Sequence, residues 1–266
     1  MAYMCRYARS SYEWSRNELQ AYHITITHIS PEEFFLQRAN PPVTDLDPAL
    51  VNTPLGVDDR NVSDDTCRFL SYLDLATNAG EDTAIDDFAR ELLHTVGYDE
   101  RGYLLRTGHT VPLPICGSDR EASIGVCLLD RQSTILLVLQ TDKKNPDPEP
   151  QVIAGAIAAY EYNNKKRDRR GLTMLSNMII PCITMTGTRP TFYLVPVTKE
   201  LSDGVASGQW PGLETKVLKC VTVVAHNRRP NEGMETPGYR KVALQRLRAF
   251  GSLAERYWRE FVVEDP

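Results

Sequence analysis

Positions 134–143 read Thr-Ile-Leu-Leu-Val-Leu-Gln-Thr-Asp-Lys, an apolar run that turns polar within one step. A strand with one wet face alternates apolar and polar residues. A strand without alternation has both faces covered, as in the middle of a sheet packed between helices. The run therefore predicts a central strand whose carboxyl end emerges at solvent or at a functional edge.

The flanking segments fit that centre. Ile85, Phe88, Ala89, Leu92 and Leu93 recur at helical spacing, predicting a helix over 82–96 that Gly97 ends. Strand-like runs follow at 103–115, where Pro112 and Pro114 restrict the run to a sheet edge, and at 123–130. After the central run come a helix over 151–166, strands near 179–185, 191–197 and 216–224, and a closing helix over 239–262. Earlier in the chain, 22–29 alternates and predicts a strand with Ile24 and Ile26 on one face; His23 and His28, of opposite parity, should point to opposite faces. Residues 41–66, rich in Pro, Asp and Asn, read as a long loop. The order predicts one α/β (α+β) domain over 1–266 with a mixed sheet of four to six strands. Residues 1–75 would decorate it, 80–200 form its αβββαβ core, and 201–266 add a strand and a helix.

A net charge of -5 with pI near 5.6 argues against a protein that coats nucleic acid, but leaves room for a local basic groove. The six cysteines have no CxxC or CxxC…HxxxH spacing, and Cys127 and Cys182 lie in apolar runs as buried hydrophobes. No apolar leader segment is visible at the start of the sequence, and no stretch approaches the ~20 apolar residues that span a bilayer. An intracellular protein, in cytoplasm or nucleus and without a membrane partner, is expected; the oligomeric state is not set by the sequence. Gly-x-Ser-x-Gly, GxGxxG and GxxxxGK[ST] are all absent, so hydrolase-triad and phosphate-loop chemistry find no support.

The remaining chemistry sits around the central run. An acid and a lysine two apart on a strand share a face, and such a pair beside further carboxylates can hold a hard divalent cation and activate water. Together with the αβββαβ order, this resembles the PD-(D/E)XK nuclease-like fold. More specifically, the chain is similar to PD-(D/E)XK-like proteins common in mushroom-forming fungi. The likeness lies in Trp14-Ser-Arg-Asn-Glu-Leu-Gln-Ala-Tyr22, Tyr72-Leu-Asp-Leu-Ala76, Ala84-Ile-Asp-Asp-Phe-Ala89, Val126-Cys-Leu-Leu-Asp130, Pro148-Glu-Pro-Gln-Val-Ile-Ala154, Ile183-Thr-Met-Thr-Gly187 and Pro190-Thr-Phe-Tyr193.

The resemblance implies a site where Asp130, Gln140, Thr141, Asp142, Lys143 and Gln151 converge. Asp142, Lys143, Lys144 and Gln151 would be its catalytic residues, with Asp130 and Asp142 as ligands for Mg²⁺ or Mn²⁺. Asp82, Asp86 or Asp87 could add a carboxylate. Three departures weaken the metal site: Gly125, Thr141 and Gly155 stand where the family has acids. Gly155 has no evident local reason inside a helix, where glycine costs about 1 kcal/mol against alanine. The expected function is binding of DNA, RNA or another phosphate-bearing ligand without cleavage. Gln140, Lys143 and the basic run of Lys165, Lys166, Arg167, Arg169 and Arg170 would contact phosphates, with Arg228 and Arg229 adding to the run. Two other readings stand beside it. One is an active metal-dependent nuclease using Asp130, Asp142 and Lys143 or Lys144. The other is a protein-interaction module built on the closing helix. Asp130 also fits a plain turn residue.

Overall fold

The structure, a computed structural model, describes residues 7–55, 62–78, 83–100, 102–141, 147–223, 232–259 and 261–262. A 3-10 turn (Ser11–Glu13) and α1 (Arg16–Ala21) lead into β1 (Ile24–His28), followed by α2 (Pro31–Phe34), α3 (Pro48–Asn52), α4 (Asp64–Asn78) and α5 (Ala84–Thr95). Then come β2 (Leu104–Ile115), β3 (Ser118–Leu129), β4 (Ile135–Thr141) and α6 (Glu149–Arg169). The chain continues through β5 (Asn177–Thr186), β6 (Arg189–Thr198), α7 (Lys199–Ser207), β7 (Thr215–Val221) and α8 (Pro237–Trp258).

Local chemistry sets several boundaries. Ser15 and Glu18 cap α1 reciprocally, the Ser15 amide donating to Glu18 Oε2 at 2.7 Å. Thr198 accepts from the Leu201 amide to start α7, and Gly208, at φ 71°, ends it. The two-residue turn between β2 and β3 places Cys116 at φ 51° and Gly117 at φ 72°, the left-handed pair that matches the twist of a tight hairpin.

The seven strands form one mixed sheet in the order β1-β7-β6-β5-β4-β3-β2. This corrects the expected four to six: β1, from the N-terminal segment, joins the edge in parallel with β7. β4 and β5 are also parallel, with α6 crossing between them. β4 is buried at every position, as its unbroken apolar run requires. β2 lies at the other edge, where Pro112 and Pro114 remove no needed ladder donor.

The sheet curls. β2 and β3 pair as far as Ile115 with Ser118, while β4 begins its pairing with β3 at Val126. The hairpin therefore overshoots β4, and its tip reaches α7: the Cys116 amide donates to Val205 O at 3.0 Å and the Gly117 amide to Ala206 O at 2.7 Å. α6 packs against β2 through β6, the 3-10 turn and α1, and residues 149–160 are all buried. Phe192 and Tyr193 are adjacent on β6 and so face opposite sides of the sheet. Tyr193 meets Glu149 of α6, and Phe192 meets Phe250 of α8 at 5.0 Å between ring centroids, so both sides are covered. Buried apolar side chains from Trp14 to Phe261 make one cluster. The stretch expected as a long loop holds α3 and the start of α4, and α7 was also not foreseen.

Candidate ligand groove at the start of the central helix

β4 ends where α6 begins, so this end of the sheet carries the expected site. Gln140 and Thr141, the last residues of β4, are buried, as is Gln151 in the first turn of α6. Asp142, Lys143 and Lys144 lie outside the described residues, as do Asp82, Arg228 and Arg229. Asp130 is not part of this end. β3 and β4 form an antiparallel hairpin, and Asp130 sits in its turn, so the length of β4, about 20 Å, separates it from Thr141. Its carboxylate accepts from the amides of Gln132 at 2.8 Å and Thr134 at 2.7 Å, which is turn chemistry.

The basic run is also elsewhere. From Gln151 to Lys166 along α6 is roughly 22 Å. At that far end Lys166 Nζ donates to Gln132 O and Arg167 donates to Thr173 O and Phe261 O. Lys165, Arg169 and Arg170 are exposed there. Burial and the neighbouring Arg170 charge hold the Arg167 guanidinium below its usual range.

Both glycines among the three departures have packing reasons. A Cβ on Gly125 would lie 3.1 Å from Asp86 Oδ1 and 3.2 Å from Leu139 O, so the glycine seats the α5 carboxylate against the strand. A Cβ on Gly155 would lie 3.2 Å from Val138 Cγ1. This corrects the expectation that Gly155 has no local reason: α6 approaches β4 closely there. At the third position, Thr141 donates its hydroxyl to Asp86 Oδ1 at 2.7 Å.

A polar network leads from this end across the sheet. Gln140 pairs with Thr184 of β5, whose hydroxyl is 3.4 Å from that of Tyr193. Tyr193 donates to Glu149 Oε1 at 3.0 Å, and Lys219 of β7 forms an ion pair with the same carboxylate. Arg16 of α1 approaches Glu149 Oε2 at 3.6 Å and donates from Nε to Asp147 at 2.7 Å. The Asp147 contact raises the Arg16 pKa. Burial first, and then the Glu149 charge, pushes the Tyr193 phenol well above its ordinary value, so it stays a donor.

Arg16, Lys219 and Glu149 open into a groove of about 440 Å³ that follows β1 and is also lined by His23, His28 and Trp210. The two histidines line one groove despite their opposite parity. His23 precedes β1 with φ 56°, outside the extended geometry in which alternation holds. Neither a family model nor a curated protein matches this sequence. The groove must therefore be read from its own chemistry.

Sequence reasoning missed Arg16, Glu149, Tyr193 and Lys219 as a set. One signal was present. Lys219 shares parity with Thr215 and Val217, the inward positions of β7, and a lysine on a buried face needs a partner. Among the described residues, no three His, Cys, Asp or Glu side chains come together as a metal-binding group. The described acids at this end, Asp86 and Glu149, do not by themselves fit Mg²⁺ or Mn²⁺, which take several free carboxylate or water oxygens. Asp86 already accepts from Thr141, and Glu149 from Tyr193 and Lys219. Among the described residues, no helix is long and apolar enough to cross a membrane.

Proposed function

We propose that the groove along β1 binds a phosphate-bearing ligand, a nucleic-acid strand foremost, and that the chain holds it without cleaving it. The observation that carries this reading is the pairing at the head of α6. Two cations, Arg16 and Lys219, face one groove, each paired with an acid at the head of α6, and Arg16 keeps guanidinium donors beyond those pairs. Arg16 is 77% exposed at its side chain, so its remaining donors are free to meet phosphate oxygens at little desolvation cost. The resemblance to PD-(D/E)XK proteins supports the same reading, because their chemistry needs carboxylates where this chain has Gly125, Thr141 and Gly155. On this reading Gln140 and Gln151 are neutral members of the degenerate site rather than catalytic groups, and the basic run of α6 adds only long-range attraction.

Anisotropy of labelled single-stranded DNA and RNA, measured against salt with Mg²⁺ or Mn²⁺ present, tests the proposal. Binding should weaken as salt rises, with the oligomer intact. Arg16→Ala should reduce the slope of log K against log salt by about 0.7, the contribution of one phosphate on a single strand. The double variant Lys165→Ala, Arg169→Ala should leave that slope within the same margin. Cleavage that disappears in Asp142→Ala and Lys144→Ala would instead establish the nuclease reading, with Asp86 as the carboxylate beside the exit of β4.

A further inference from the structure

The far end of the same groove, away from Glu149, is aromatic. Trp210 is 52% exposed, while Trp14 and Trp258 are 1% and 5% exposed and belong to the core. A half-exposed tryptophan is the costliest side chain to leave in water, so what holds it there is informative. One of its faces stacks on the His23 ring at 4.7 Å between centroids and 26° between planes. Half exposed, the indole also lines the groove.

His23 is held firmly in turn. Its amide donates to Gln20 O at 3.3 Å, its carbonyl accepts from the Thr215 amide at 2.9 Å, and Nδ1 lies 3.3 Å from Pro211 O. Its backbone occupies the left-handed region at φ 56°, a strained conformation for a residue with a side chain, which persists only where the surroundings enforce it. The result is a two-ring platform at one end of a groove whose other end carries Arg16 and Lys219.

We infer that the groove takes single-stranded nucleic acid, with an unpaired base stacked on the exposed indole of Trp210 and phosphates farther along the strand at Arg16 and Lys219. This rests on the phosphate-binding reading and sharpens it. An open aromatic face beside cations is the chemistry by which single strands are held without sequence readout. A base inside a duplex has both faces covered by its neighbours and offers none to Trp210. The platform therefore selects strand state, and the cations supply the sequence-independent attraction.

Tryptophan emission reads the inference directly, since Trp210 is the exposed indole. The probes are a short oligothymidylate, an abasic oligomer of equal length, and the same thymidylate paired in a blunt duplex. The oligothymidylate should quench Trp210, while the abasic oligomer and the duplex should not. Trp210→Ala should weaken oligothymidylate binding about tenfold and leave the abasic oligomer unchanged, and Trp210→Phe should recover part of the loss. Equal affinity for all three probes, unaffected by Trp210→Ala, overturns the base-stacking inference but leaves phosphate binding standing. Tighter binding of the duplex overturns it too. If even the abasic oligomer fails to bind at low salt, the phosphate-binding reading falls and the stacking inference with it.

Discussion

The two ends of α6 handle charge in opposite ways. At its start a buried carboxylate, Glu149, gathers Lys219, Arg16 and the Tyr193 hydroxyl around itself. At its finish cations crowd together, and Lys166 and Arg167 donate to the carbonyls of Gln132, Thr173 and Phe261. The helix dipole explains why the second arrangement is undemanding: positive side chains are favoured at a helix C-terminus. A basic run there is satisfied by the helix itself and says little about a ligand. Cations beside a helix N-terminus oppose the dipole, so Lys219 and Arg16 stay there because Glu149 and Asp147 hold them. The less conspicuous charges are therefore the more informative ones.

Removing the acid that organises the first end should have the largest effect. Glu149→Ala leaves Lys219, only 26% exposed, without its carboxylate, and should cost about 3 kcal/mol in urea unfolding. Lys166→Ala at the other end should cost less than about 1 kcal/mol, since its lost bond is to a single carbonyl at a partly wet site. If the two substitutions prove equal in cost, the contrast between the ends is wrong.

Next in size is Asp130→Ala. The carboxylate accepts two amides in the β3–β4 turn, and bonds to a charged acceptor are worth roughly 1.5–3 kcal/mol. A loss near 2 kcal/mol with unchanged oligonucleotide affinity is expected. A loss of affinity without a loss of stability would return Asp130 to the ligand site.

Much of the fold was legible because burial writes itself into composition. The apolar run of β4 marked the sheet centre, and Pro112 and Pro114 marked an edge strand, β2. α4 escaped because its inward residues, Thr66, Phe69, Leu73 and Ala76, are widely spaced among polar ones and begin inside a stretch that reads as loop. The site was less legible, for two separate reasons. Asp130 lies at the other end because the five residues between β3 and β4 make a hairpin, which sends the turn away from the exit of β4. The Glu149 cluster could not be read at all, because its partners lie 44 to 133 positions from Glu149 and meet it only once the sheet has formed. His23 belongs with the second kind, since alternation cannot foresee a left-handed residue at the entrance of a strand.

A smaller effect tests how tightly the helix start is seated. Gly155→Ala should gain about 1 kcal/mol of helix propensity yet lose at least as much to the Val138 contact at 3.2 Å, leaving the protein slightly less stable. In a Val138→Ala background the obstruction is gone, and the same change should stabilise by about 1 kcal/mol. A substitution that stabilises equally in both backgrounds would show that α6 does not press on β4 there.

The smallest effect at neutral pH is a slope, and it belongs to the basic end. His109 of β2 is buried against Tyr162 of α6 at 5.7 Å, and among the described residues neither ring nitrogen has a hydrogen-bond partner. Burial first, then the charges of Arg106 and Lys166, lowers its pKa below the ordinary 6.5. Protonation therefore favours the unfolded chain, where the imidazole regains its usual affinity for protons. Stability carried by the neutral ring is complete above about pH 6.5 and is lost as pH falls toward the depressed folded value. Urea unfolding of the wild type and His109→Leu at pH 7.5 and pH 5.5 isolates this group from the carboxylates, which titrate in both. At pH 7.5 the leucine should be neutral or stabilising, because it removes an unpartnered polar ring from the interior. At pH 5.5 its advantage should grow. Parallel pH profiles for the two proteins would mean that His109 takes up its proton without leaving its site, and that the basic end tolerates one more positive charge.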